Sequence, residues 1–225
     1  MVIPAYNEGS VICSTLAGLS AFLPRVVVID DGSNDRTAEL ARACGAVVVR
    51  HAVNLGQGAA LRTGIEFALH RGATHVCTFD ADGQHDPASI AEMMTKLKAC
   101  EADVALGSRF LDRSVAIPVA RRCLIRAAVA FTRLHTRLRV SDTHNGLRVF
   151  TRAAARAIEL RQLRMAHSSE ILSEIARLRL KFVEVATTVT YTEYSMRKGQ
   201  SLTNSFKILL DLFYNAWTSQ RRHVS

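Results

Sequence analysis

Short runs of unbroken apolar residues alternate with amphipathic segments through the first half of the chain, and this rhythm constrains the fold most. The runs are Arg25-Val26-Val27-Val28-Ile29, Ala46-Val47-Val48-Val49, Val76-Cys77-Thr78-Phe79 and Ala102-Asp103-Val104-Ala105-Leu106, with Val2-Ile3-Pro4-Ala5 ending an earlier one. A strand that is apolar on both faces must be covered on both faces, as in a parallel sheet between layers of helices. The segments between carry the helical period: Val11, Ile12, Thr15, Leu16 and Leu19 within 8–22, then Leu61, Ile65, Ala68 and Leu69, then Ile90, Met93, Met94 and Leu97 within 89–100. The expected fold is α/β, a mostly parallel, doubly wound sheet flanked by helices.

In such sheets ligands bind beyond the carboxyl ends of the strands. The polar clusters of this chain fall there: Tyr6 to Glu8, Asp30 to Ser33, Asn54 to Gly58 and Asp80 to Gln84. The last cluster is the most telling. Asp80 and Asp82 follow an apolar strand at i and i+2, so strand alternation predicts both carboxylates on one side. Like charges that close repel, and burial opposes ionisation of each. A divalent cation such as Mg²⁺ or Mn²⁺ relieves the conflict, taking carboxylate oxygens together with substrate phosphates and waters. Gln84 stands two residues further on and offers a carbonyl oxygen. A plain polar turn is the competing reading, since Asp and Gly favour turns.

The formal charge of +9 and pI near 9.8 call for an anionic partner. A nucleic-acid-binding module would use that charge, but phosphate backbones avoid paired carboxylates, so no nucleic acid is expected. The five cysteines (Cys13, Cys44, Cys77, Cys100, Cys123) are scattered, without a Cys-x-x-Cys pair. They read as small core residues in a reducing compartment. Pro4, Asn7 and Glu8 interrupt the start as no signal peptide would, and no stretch reaches the ~20 apolar residues of a spanning helix. A cytoplasmic protein, peripheral on the membrane, is expected.

The second half reads as an arginine-rich amphipathic helix over 117–140, a polar loop 141–148 entering Val149-Phe150, a helix over 168–178, a β-branched strand over 182–191 and an apolar-striped tail over 202–217. The two amphipathic segments suit a bilayer interface with arginines toward anionic headgroups. Packing on the sheet, or contact with a second copy in a homo-oligomer, are the alternatives.

Taken in order, Val2-Ile3-Pro4-Ala5-Tyr6-Asn7-Glu8, Asp30-Asp31-Gly32-Ser33 and Asp80-Ala81-Asp82 resemble the family 2 glycosyltransferases of the GT-A fold. Gly107-Ser108-Arg109, Asn145-Gly146-Leu147-Arg148 and Lys198-Gly199-Gln200-Ser201 look like its branch of dolichol-phosphate and polyprenyl-phosphate sugar transferases. The resemblance spans nearly the whole chain. It implies one domain, with a nucleotide-sugar-binding half over about 1–110 and an acceptor-side half over about 111–225. By resemblance, Pro4, Ala5, Tyr6, Glu8 and Asp31 would line the nucleoside pocket of a GDP- or UDP-linked donor. Asp80, Asp82 and Gln84 would hold the metal against the diphosphate. Arg109 and Arg148 would face phosphate oxygens, unless they are ordinary surface ion pairs. Arg197, Lys198 and Ser201 would belong to a basic loop closing over the site. The family's displacement inverts the anomeric centre, and the metal offsets charge on the leaving diphosphate.

A saccharide hydroxyl acceptor needs a general base, for which Glu170 is the candidate by chain order, although it also suits a helix N-terminus. A lipid monophosphate needs none, because it is already anionic near neutral pH. Two departures from the family pattern stand out. Only Met1-Val2 precede Ile3, as if the first strand were cut short or began upstream, and His144-Asn145-Gly146-Leu147-Arg148 replaces a Ser-Gly-Phe-Arg form. The Gln-x-x-Arg-Trp element of chain-building synthases is missing. A nucleotide-sugar pyrophosphorylase would want a glycine-rich basic loop in place of Tyr6-Asn7-Glu8, and Gly56-Gln57-Gly58 is an incomplete dinucleotide fingerprint. A protein that binds nucleotide sugars without transferring them remains a distinct reading.

Overall fold

The computed structural model describes residues 1–111, 129, 133, 134, 136–143, 145–163 and 166–190. Its strands are β1 (Val2–Ala5), β2 (Val27–Asp30), β3 (Val47–Arg50), β4 (His75–Thr78), β5 (Val104–Ser108), β6 (Arg148–Thr151) and β7 (Phe182–Ala186). Its helices are α1 (Ile12–Gly18), α2 (Thr37–Ala43), α3 (Gln57–His70), α4 (Ala88–Ala99), α5 (Arg152–Ala157) and α6 (His167–Arg177). One sheet runs in the order β3-β2-β1-β4-β6-β5-β7. All neighbours pair in parallel except β6, which is antiparallel to both β4 and β5. Six strands therefore point one way and β6 alone returns. That reversal brings the start of β6, Arg148, to the edge where the other strands end.

Alternation along the strands divides the core in two. Ile3 and Val28 face a cluster with Ile12 and Leu16 of α1, Ala41 of α2, and Ile90, Met93 and Leu97 of α4. Val2, Val27 and Ile29 face the other side, against Ala60, Leu61 and Ile65 of α3, Ala154 of α5, and Ile171, Leu172 and Ile175 of α6. The expected helix layers on both faces are present. Each fully buried aliphatic side chain contributes about 1.5–3 kcal/mol, so the two clusters dominate stability. β3 is one of the two edge strands, and Val47 is accordingly 43% exposed despite its apolar sequence.

Several boundaries differ from the periodicity. The first helix begins at Ile12 rather than Glu8, because Glu8 N–H donates to Thr37 Oγ1 and Gly9 N–H to Asp35 Oδ2, outside any helix ladder. After Leu19 the backbone tightens into a 3₁₀ turn, Ser20–Arg25, containing Pro24. β7 stops at Ala186, and Val189 instead bridges His85. The basic segment 117–140 lies mostly outside the described residues. Its end, 137–140, is not helical, with Arg137 at φ 60. The tail 202–217 lies outside the described residues altogether.

Candidate active site

The carboxyl edge of the sheet collects the loops that the sequence singled out. Tyr6–Glu8 follow β1, Asp31–Ser33 follow β2, the 51–56 loop follows β3, the 79–85 turn follows β4 and Arg109 follows β5. Thr15 of α1 donates its hydroxyl to Ala81 O at 2.9 Å, fastening the 79–85 turn to α1.

Asp80 and Asp82 lie on a turn and not on a strand. β4 ends at Thr78, so strand alternation is not what pairs the carboxylates. The pairing comes from the turn itself, with Gly83 at φ 71 and Asp82 Oδ1 accepting from Gln84 N–H at 3.1 Å. His85 closes it. Its Nε2 sits 2.9 Å from Asp80 Oδ2, and an ionised carboxylate only accepts, so Nε2 carries the proton. Gln57 Nε2, at the start of α3, reaches Asp80 Oδ1 at 3.4 Å.

The two carboxyls are driven apart electrostatically. Burial alone would raise Asp80, yet the hydrogen bond and charge of His85, with Arg148 and His167 beyond, hold it below the usual carboxylate range. Burial, the Asp80 charge and Glu8 push Asp82 up to about 6, against the Gln84 N–H and His85. That strained pair suits a hard cation. Among the described residues no group of three His, Cys, Asp or Glu forms a closed cage. Two carboxylates with an amide oxygen leave positions for phosphates and water, as Mg²⁺ and Mn²⁺ require.

Residues 145–147 pack against the far side of this turn. Gly146 O accepts from Thr78 Oγ1 at 2.7 Å, and Asn145 Nδ2 donates to Thr187 Oγ1 at 2.8 Å. Only a glycine fits at 146: a Cβ there would stand 2.1 Å from Asp80 Oδ2. Arg148, 3% exposed, feels both Asp80 and Asp142, and burial still brings its guanidinium down to about 10. Arg109 is also buried but is forked onto Asp142, Nε to Oδ2 at 2.7 Å and Nη2 to Oδ1 at 2.8 Å. Asp142 therefore stands between the two arginines, and the Arg109 pair is buried rather than on the surface.

Of the nucleoside-side residues, Pro4 and Ala5 are buried in β1, while Tyr6 at the strand end is 39% exposed. Glu8 is half-buried and close enough to raise Asp82. Asp31 is committed elsewhere. Its Oδ1 accepts from His51 Nδ1 at 2.7 Å and Leu55 N–H at 3.0 Å, and its Oδ2 from Gly56 N–H at 2.7 Å. It shapes the entry to α3 from inside the loop. Glu170, near the start of α6, is similarly engaged, with Oε1 on Arg161 N–H at 3.0 Å and Oε2 on Gln162 N–H at 2.9 Å. Burial raises its carboxyl against those two bonds. Arg197, Lys198 and Ser201 lie outside the described residues.

The glycosyl transferase family 2 model matches residues 1–157. The chain belongs to glycosyl transferase family 2. A Methanocaldococcus jannaschii relative, uncharacterized protein MJ1222, is 38% identical over 217 residues, covering 94% of this chain and 89% of its own. The UDP-N-acetylglucosamine–dolichyl-phosphate N-acetylglucosaminyltransferase of Methanococcus voltae is 29% identical, over 94% of this chain and 93% of its own. Among solved structures, glucosyl-3-phosphoglycerate synthase from Mycobacterium tuberculosis, in complex with Mn²⁺ and UDP-glucose, superposes with a TM-score of 0.71 at 20% identity, over 96% of this chain and 77% of that one. The fold is thus that of the GT-A enzymes, and this family 2 chain is a glycosyltransferase whose relatives include a transferase to a polyprenyl phosphate.

His85, His167, Gln57 and Asp142 were not singled out by the sequence reading. His85 stands inside the acidic motif, where an apolar Phe79 and a buried turn could have flagged it; the rings of Phe79 and His85 meet edge-on at 5.5 Å. No local pattern distinguishes the other three.

Proposed function

We propose that this glycosyltransferase moves a sugar from a GDP- or UDP-linked donor to a polyprenyl phosphate, inverting the anomeric centre. The carrying observation is the 79–85 turn, where Asp80 and Asp82 stand together with Arg148 behind them. A Mg²⁺ or Mn²⁺ held by Asp80, Asp82 and the Gln84 carbonyl would offset the charge growing on the leaving diphosphate. His85 holds Asp80 ionised and oriented. Arg148 supplies a fixed positive charge in a poorly hydrated setting, where preorganised charge acts most strongly. Arg109 takes part through Asp142, which it orients against Arg148. Pro4, Ala5, Tyr6 and Glu8 form the nucleoside side, Asp31 shapes the neighbouring loop, and Arg197, Lys198 and Ser201 are assigned to the donor by the family resemblance alone.

A phosphate acceptor suits the absence of a free base at Glu170, whose carboxylate oxygens already hold Arg161 and Gln162 N–H. Such an acceptor also places the enzyme at a bilayer. No helix among the described residues is long and apolar enough to cross one; the reading takes contact to be peripheral, on the cytoplasmic face. Leu134, 84% exposed, lies with Arg133, Arg137, Leu138 and Arg139 around an open hollow suited to anionic headgroups.

The test is transfer of radiolabelled sugar from a panel of UDP- and GDP-sugars, using purified protein, polyprenyl phosphate vesicles and Mn²⁺, followed by organic extraction. Label in the organic phase supports the reading. Label found only in water-soluble glycan would point to a saccharide hydroxyl acceptor, and donor binding without transfer to a binding protein.

A further inference from the structure

Cys13 and Cys44 are far apart in sequence yet meet between two helices of the nucleotide half. Cys13 lies in α1 and Cys44 caps the end of α2, with the sulfurs 2.8 Å apart. The Cys44 S–H donates to Cys13 Sγ, and Cys13 in turn lies 3.9 Å from Leu40 O. Both side chains are half-buried, so a small reagent can reach them, whereas Cys100 is exposed and has no described thiol beside it. The segment entering α1 is also tied to the start of α2, by Glu8 N–H on Thr37 Oγ1 and Gly9 N–H on Asp35 Oδ2.

We propose that Cys13 and Cys44 form a reversible intrachain disulfide that staples α1 to α2. A disulfide bond is about 2.05 Å long, so closure asks for a sulfur movement of less than about 1 Å, within the reach of a side-chain rotation. The oxidant is a low-molecular-weight disulfide. The Cys13 thiolate attacks one of its sulfurs and expels the first thiolate; Cys44 then loses its proton, attacks Cys13 Sγ in the mixed disulfide and expels the second. The protein gives up two electrons and two protons, and one small disulfide becomes two thiols. Cys13 is the attacking sulfur because the Cys44 proton is engaged in the S–H bond donated to it. The hydrogen bond to Cys13, with burial and the Cys13 charge, pushes the Cys44 thiol up to about 11. Cys13 and Cys44 pack against the core as expected; their sequence separation hid only that they are neighbours.

The experiment uses the full chain carrying Cys100→Ser and Cys123→Ser, so that only Cys13, Cys44 and the half-buried Cys77 remain. Reduced protein is incubated with oxidised glutathione, and free thiols are counted in denaturant. The expected result is loss of two thiols, a peptide map joining the Cys13 and Cys44 segments, full recovery with dithiothreitol, and a thermal midpoint higher by several degrees in the oxidised form. Cys13→Ser should abolish the loss, and Cys44→Ala should stop at a one-thiol glutathione adduct on Cys13, each leaving the circular dichroism spectrum unchanged. Retention of all three thiols, a glutathione adduct that never closes, or a link to Cys77 would overturn the proposal.

Discussion

His85 Nε2 lies 2.9 Å from Asp80 Oδ2, and the His85 side chain is 4% exposed, with Nδ1 lacking a hydrogen-bond partner among the described residues. The ring is held by packing on Phe79 and aimed by one bond. A buried imidazole of this kind fixes a carboxylate in one rotamer and one charge state.

His85→Ala should free Asp80 to rotate. Residues that orient a metal ligand in this way typically influence affinity by about 10–100-fold. Mn²⁺-dependent nucleotide binding, measured by calorimetry, should fall within that range, with His85→Gln retaining part of the affinity through its amide donor.

Gly146→Ala places a methyl group 2.1 Å from Asp80 Oδ2. Neither side can move freely, because Gly146 O is tied to Thr78 Oγ1 and Asp80 to His85. Overpacking of this kind costs about 1–3 kcal/mol. Urea unfolding should show that loss, and transfer activity should fall by more than tenfold at a temperature where the variant is fully folded.

The Arg109–Asp142 fork is buried on both sides, at 8% and 0% side-chain exposure. Removing one partner leaves an uncompensated charge, at a cost of about 3–5 kcal/mol. Arg109→Met should therefore destabilise more than the double variant Arg109→Met/Asp142→Leu, a difference that chemical denaturation resolves.

Glu170→Ala should act on the 158–163 loop and not on the chemistry. It strands the Arg161 and Gln162 N–H groups, worth on the order of 1 kcal/mol each. A lower thermal midpoint with an unchanged pH profile of kcat is expected; loss of the acidic limb of that profile would identify Glu170 as the base.

Much of this was legible because each local signal agreed with its neighbours. Valine runs such as Val26 to Ile29 can only be covered on both faces, and the helical stripes around Leu16, Leu61 and Met93 supply the cover. The acidic motif announced the site for the same reason: charged residues rarely follow a buried strand without a partner. The reversal of β6 was not legible. Arg148-Val149-Phe150 has no periodicity that encodes direction, and only its pairing with both β4 and β5 sets it. Long-range partners were hidden too. Asp142 meets Arg109, Glu170 meets Arg161, and Cys44 meets Cys13 through folding, at separations where side-chain spacing carries no information. Asp31 shows the limit from the other direction: the motif marked the residue, while its bonds to Leu55 and Gly56 N–H depend on the path of a loop.

The most direct test of the site is calorimetric titration of UDP and GDP into wild-type and Asp82→Asn protein, with Mn²⁺ and with EDTA. For the wild type, Mn²⁺ should raise affinity by about tenfold or more for the nucleotide that fits; for Asp82→Asn that gain should vanish while the thermal midpoint in EDTA does not fall. An undiminished Mn²⁺ response in Asp82→Asn would contradict a cation held between Asp80 and Asp82.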